Sequence, residues 1–263
     1  MSDKSNFFTT EIAHFQGLCF ITVKSNALQK RADLTVYTPP NVEQRGLPIA
    51  ILLHGVYGSH WAWAMKGKVH ETAQKMIDLG QIKPMILVMP SDGLYGDGSG
   101  YVPHKTENYE KWIVADVIQV VKEQIPQATD DSPVFITGLS MGGFGALRLG
   151  AKYPQVFRAF SGLSSITHME QMRLFVSDFE TLEKEISEQD GVLDWMLRNK
   201  NILPLFRLDC GRDDILIGFN RQLHLDLEKN GIPHIYEEFS GGHSWDYWAE
   251  HIGRTLLFFN QSY

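Results

Sequence analysis

The sequence predicts an α/β fold: a mostly parallel central sheet with an antiparallel N-terminal edge and helices on both faces. Short continuous apolar runs, such as Pro48-Ile49-Ala50-Ile51-Leu52-Leu53 and Met85-Ile86-Leu87-Val88-Met89-Pro90, have the composition of strands covered on both faces. They alternate with stretches of helical apolar spacing, the pattern of parallel strands joined by helical crossovers. Glycine-bearing turns follow the strand-like runs, where open α/β sheets place their ligand contacts.

In chain order, Gly17-Leu18-Cys19-Phe20-Ile21-Thr22-Val23 and Ala32-Asp33-Leu34-Thr35-Val36-Tyr37 are β-rich and separated by a polar connection, which predicts an antiparallel pair at the sheet edge. Pro39-Pro40 ends the second run, and the parallel core begins at the 48–53 run. The 85–90 strand leads into a turn-rich loop over 91–101, expected beside the ligand pocket. Asn108 is a predicted N-cap for a helix whose Tyr109, Ile113, Val117, Val120, Val121 and Ile125 recur at helical spacing until Pro126. Further strands are predicted at 134–137, 157–164, 205–211 and 234–239. Helices follow through Ala146, Leu149 and Tyr153, through Ile217, Leu223 and Leu227, and through Trp248, Ile252 and Phe259.

The segment 168–201 interrupts this alternation, with Phe175, Val176, Phe179, Leu182 and Ile186 at partly helical spacing. It is expected either as a lid inserted over the site or as a surface helix pair packed on the domain. Met169 and Met172 are candidates for contact with an acyl chain or for gap-filling core.

A length of 263 residues without a Pro/Gly/Ser-rich linker predicts a single domain over 1–263. An apolar share of 43% is ample for a sizeable core, and no repeat or low-complexity tract interrupts it. The net charge of −7, with no Lys/Arg cluster, argues against nucleic acid or an anionic membrane as partner. The first residues, Met1-Ser2-Asp3-Lys4-Ser5-Asn6, open no sustained apolar run, so the expectation is a cytoplasmic protein without a secretion signal or membrane span. Cys19 and Cys210 lie in apolar strand-like stretches and are read as buried reduced thiols.

The chemistry is carried by Gly138-Leu139-Ser140-Met141-Gly142-Gly143-Phe144-Gly145, between the 134–137 strand and the helix after it. Strand, sharp turn and helix present Ser140 outward as a nucleophile, and Gly138 and Gly142 supply the lack of bulk that so tight a turn demands. Met141 N–H, at the helix start, is the expected first oxyanion donor. The second is Val56 N–H, in the loop His54-Gly55-Val56-Tyr57-Gly58-Ser59-His60-Trp61. His54 is read as a residue that orders this turn rather than as a base. Tyr57, Trp61 and Trp245 are candidate substrate-binding residues, with Trp63 as a further pocket or packing aromatic.

An acid and a base are then required. The strand Leu205-Phe206-Arg207-Leu208-Asp209-Cys210-Gly211 ends at Arg212-Asp213-Asp214, and Asp214 is preferred as the acid, with Asp213 assigned to capping the next helix. His243, in the strand-end loop Ser240-Gly241-Gly242-His243-Ser244-Trp245, is the expected general base. The order Ser140, Asp214, His243 is that of an α/β-hydrolase. Asp92 and Asp97 lack the ligand spacing of an EF-hand loop and are assigned to turn chemistry, so no metal is expected.

With these motifs, Leu53-His54-Gly55-Val56, Gly138-Leu139-Ser140-Met141-Gly142-Gly143, Cys210-Gly211-Arg212-Asp213-Asp214 and Gly242-His243-Ser244-Trp245, most of the chain resembles one family of α/β-hydrolase esterases. That family includes tributyrin esterases, esterase D, feruloyl and acetylxylan esterases and mycolyltransferases. The resemblance implies an α/β-hydrolase fold, with Ser140 as nucleophile, Asp214 as acid, His243 as base and Val56 and Met141 as oxyanion donors. The expected activity is hydrolysis of a small-molecule ester with a short acyl group, attached to a sugar or a phenolic, through an acyl-enzyme and without a cofactor. An S-formylglutathione hydrolase-type thioesterase, an acyltransferase and an inert binding protein are the alternatives.

Overall fold

The computed structural model describes residues 10–263. The expectation of no secretion signal falls on Met1 to Asn6, which lie outside the described residues. Nine strands form one sheet among the described residues: β1 (Thr10–Phe15), β2 (Leu18–Lys24), β3 (Arg31–Tyr37), β4 (Ile49–Leu53), β5 (Ile86–Pro90), β6 (Val134–Gly138), β7 (Phe157–Leu163), β8 (Leu205–Gly211) and β9 (Ile235–Phe239). Their spatial order is β1-β2-β3-β5-β4-β6-β7-β8-β9. Pairing is antiparallel from β1 through the β3–β5 contact and parallel from β5 to β9.

Strands β4, β5 and β6 are buried along their whole length, which is why their sequences run apolar without alternation. Their side chains still divide between two cores. Ile49, Ile51 and Leu53 join Val88 and Ile136 on one face, while Ala50 and Leu52 join Leu87 and Phe135 on the other. Each fully buried Ile, Leu or Phe contributes about 1.5–3 kcal/mol relative to exposure.

The helices are α1 (Ala62–Met65), α2 (Val69–Asp78), α3 (Tyr109–Lys111), α4 (Ile118–Gln124), α5 (Met141–Lys152), α6 (Phe179–Glu185), α7 (Val192–Arg198), α8 (Ile217–Lys229) and α9 (Trp245–Gln261). Val69 and Ala73 of α2, with Trp248, Ile252 and Leu256 of α9, cover one sheet face; Phe144 and Leu147 of α5, with Leu223 and Leu227 of α8, cover the other. No helix among the described residues is long and apolar enough to cross a membrane.

Two features depart from the sequence reading, and a third falls among its alternatives. The edge of the sheet is β1, outside the predicted pair, joined to β2 by a two-residue turn in which Gln16 and Gly17 both take positive φ, 50° and 79°. The predicted 109–125 helix starts as expected, with Asn108 Oδ1 accepting Lys111 N–H at 2.7 Å, but Trp112–Val117 winds as a π-helix between α3 and α4. The 168–201 segment is a 3-10 turn over Met169–Leu174 followed by α6 and α7. Its Met169, Met172, Phe179, Leu182 and Met196 are buried in the main core.

Candidate active site

Ser140 sits between β6 and α5 with φ 55° and ψ −120°, a backbone region that L-residues rarely enter. The turn is held by Ser140 N–H donating to Leu163 O at 3.0 Å, and by Ser140 O accepting from Phe144 N–H and Ile166 N–H at 3.1 and 3.3 Å. Crowding is severe. A Cβ at Gly138 would run into the Gly142 carbonyl, and one at Gly142 into the carbonyls of Leu53 and His54. The elbow therefore closes directly onto the end of β4, whose next residues form the 54–61 loop.

His243 and Asp214 come from neighbouring strand ends. Gly211, at the end of β8, packs so closely on the Gly241 carbonyl that a Cβ would overlap it, and Asp213 N–H donates to that carbonyl at 3.0 Å. This contact brings the loop after β9 against the loop after β8. His243 Nδ1 lies 3.0 Å from Asp214 Oδ2 and 3.1 Å from Oδ1, and His243 Nε2 lies 3.0 Å from Ser140 Oγ. A carboxylate only accepts, so Nδ1 carries the proton and Nε2 keeps a lone pair facing the Ser140 hydroxyl. Asp214 is buried and also accepts Leu216 N–H at 2.8 Å. The bond at the start of α8 that the sequence reading gave to Asp213 is thus made by Asp214, and Asp213 is exposed.

The other candidates fall into separate groups. His54 is buried, with Nδ1–H donating to Gly55 O at 2.7 Å and Nε2 accepting Asp92 N–H at 3.0 Å, so it orders the turn. Met141 begins α5, where its N–H has no acceptor within the helix. In the 55–58 turn, Tyr57 N–H donates to Asp97 O and Gly58 N–H to Gly55 O, so the two amides that follow Val56 are committed within the loops. Asp92 organises its own loop by accepting Leu94 N–H at 2.9 Å and Ser99 N–H at 2.6 Å. Cys19 and Cys210 are buried free thiols. Burial, and then the Asp214 charge, push the Cys210 thiol well above its ordinary range and keep it protonated.

A cavity of about 490 Å³ opens on Ser140 and His243, walled by Tyr57, Trp61, Trp245, Trp248 and Phe175. Trp63 is not among its walls: it is fully buried, donates from Nε1 to Leu53 O at 2.9 Å and stands edge-on to Trp245. The 91–101 loop lies behind the cavity rather than in its wall, holding the early loop through Asp97 O and through Tyr101 Oη–H, which donates to His54 O at 3.0 Å. Met169 and Met172 fill core. A larger hollow of about 840 Å³, among the starts of β6, β7 and β8, contains none of these groups.

Sequence reasoning missed Phe175 and Trp248 as site residues. Trp248 lies one helical turn beyond Trp245, a spacing that could have placed both on one face of α9. Nothing in the sequence sets Phe175 opposite His243.

The family model described as "Putative esterase" matches residues 25–259. An acetyl esterase of Caldicellulosiruptor saccharolyticus is 28% identical over 82% of this chain and 84% of its own length. Among solved structures, a ferulic acid esterase superposes with a TM-score of 0.82 at 23% identity, covering 98% of this chain and 100% of that one. An S-formylglutathione hydrolase of Staphylococcus aureus superposes at 0.75 with 19% identity, covering 94% and 98%. At these identities the two structures share the α/β-hydrolase fold.

Proposed function

The chain belongs to this esterase family, and from that premise we propose that it is a serine carboxylesterase that hydrolyses small esters of short acyl groups. The observation that carries the reading is the 3.0 Å contact between Ser140 Oγ and His243 Nε2, with His243 held from behind by Asp214. His243 Nε2 takes the hydroxyl proton as Ser140 Oγ attacks the ester carbonyl. The tetrahedral oxyanion is received by Met141 and Val56 N–H, His243 returns the proton to the departing alcohol, and water repeats the sequence on the acyl-enzyme. Asp214 stays ionised and stabilises the imidazolium that forms in each half-reaction.

Similarity to an acetyl esterase along most of both chains supports the short acyl group. The apolar, aromatic walls of the cavity support a small neutral ester as substrate. The same residues would cleave a thioester or pass the acyl group to an alcohol that outcompetes water. The experiment is turnover of p-nitrophenyl acetate and butyrate, with matched acetyl thioesters alongside and fluorophosphonate labelling of wild type and Ser140→Ala. The expected result is labelled, active wild type preferring oxygen esters and an unlabelled variant whose turnover falls by about 10⁴-fold or more. Undiminished turnover in a folded Ser140→Ala protein removes Ser140 from the reaction.

A further inference from the structure

Phe175 stands between the 3-10 turn and α6, and it reaches the cavity from a segment distant in sequence from Ser140 and His243. Its ring lies over the His243 imidazole, 5.1 Å between centroids and 27° between planes, while Trp248 meets the same imidazole edge-on at 5.0 Å. Neighbouring Met172, Val176 and Phe179 are buried, whereas Phe175 is half-buried. The base of the segment is thus anchored in the core, and Phe175 is the side chain it presents to a ligand.

A second observation concerns what holds it there. Tyr57 Oη–H donates to the Phe175 carbonyl at 2.6 Å. Tyr57 is 66% exposed and belongs to the loop that carries Val56. Its side chain is therefore spent on bridging two walls of the cavity rather than on packing in the core.

We propose that Phe175 determines acyl-group specificity by limiting the size of the group that fits beside Ser140, and that the Tyr57 bond to its carbonyl keeps it in that position. The proposal rests on Ser140 being the nucleophile. The cavity, at about 490 Å³, is in the lower half of the range for ligand pockets, so changing the size of one wall side chain changes the room beside Ser140. In apolar pockets a single methylene changes discrimination about 10–200-fold, which sets the scale for changing that ring.

The test is kcat/KM for p-nitrophenyl acetate, butyrate and octanoate with wild type, Phe175→Leu, Phe175→Trp and Tyr57→Phe. The octanoate-to-acetate ratio is expected to rise about tenfold or more in Phe175→Leu, to rise less in Tyr57→Phe and to fall in Phe175→Trp. Because each ratio is internal to one preparation, a partly unfolded variant does not distort it, and Tyr57→Phe carries the test if Phe175→Leu fails to fold. Ratios equal to wild type in the variants that fold overturn the proposal. If wild type is neither labelled by fluorophosphonate nor active on any ester, the assignment of Ser140 fails and takes this proposal with it. Labelling and turnover with unchanged ratios defeat the role of Phe175 alone.

Discussion

Asp214 holds two hydrogen-bond donors at once: Oδ2 faces His243 Nδ1 at 3.0 Å, and Oδ1 accepts Leu216 N–H at 2.8 Å. The carboxylate is thereby oriented by the start of the α8 region before it orients the imidazole. Asp214→Asn keeps the shape and presents an amide that can favour the wrong histidine tautomer, so kcat for p-nitrophenyl acetate is expected to fall by about 10⁴-fold. Asp213→Asn, at the exposed neighbouring position, is expected to leave kcat near wild type, and the reverse result would exchange the two roles.

Gly142→Ala is expected to lower the free energy of unfolding by about 1–3 kcal/mol, because its Cβ meets the backbone carbonyls of Leu53 and His54 and neither can swing aside. Gly218→Ala provides the contrast. No atom lies within 4 Å of a Cβ there, and the position is within α8, so a gain of up to about 1 kcal/mol is expected. Denaturant titration of both variants measures the difference.

Arg148 is fully buried and pairs with Glu110 and Glu188, while its Nε–H donates to the Asp190 carbonyl at 3.2 Å. Glu110 also faces Lys152, which reaches Glu188 at 2.6 Å. The cluster fastens residues 188–190 to α5. Arg148→Leu leaves buried Glu110 short of a partner and is expected to cost about 3–5 kcal/mol. Faster amide exchange over 186–192 than elsewhere in the variant would locate the damage, and uniform exchange would contradict this role.

Burial lowers the pKa of His104, against the pull of the Ser99 carbonyl and of Glu107, Glu185 and Asp92. As pH falls past about 6.5, the unfolded chain takes up this proton while the folded protein does not. Stability is therefore full above that pH and is lost down to the lower folded-state pKa, with a slope of at most about 1.4 kcal/mol per pH unit. His104→Gln is expected to flatten the stability profile below pH 6.5. His60, His70 and His251 are lowered by burial in the same direction and keep part of the slope.

The parallel core was legible because burial on both faces leaves its mark in composition, as in Ile49–Leu53 and Ile86–Pro90. β1 was not, because residues 11–15 are exposed and impose no alternation of apolar and polar side chains. Ser140, Asp214 and His243 could be picked out because each follows a strand, and strand ends in a parallel sheet share one rim. Trp63 stayed open between pocket and packing because the side of α1 that faces the core is fixed by tertiary contacts, among them its indole N–H bond to the Leu53 carbonyl. Phe175 was legible only as part of the partly helical apolar spacing with Phe179, Leu182 and Ile186; its position over His243 is set by tertiary anchoring of the 3-10 turn, which no local pattern reports.

The π-wound turn at Trp112–Val117 has a bearing on how the chain tolerates changes of length. Such a turn accommodates one residue beyond an α-helical path. Excising a single residue at the half-buried Val114 would let the turn relax to ordinary winding, with α3 and α4 still presenting the same faces inward. A one-residue excision within α5, which has no such slack, would rotate everything beyond it by about 100° and turn its inward side chains away from the sheet.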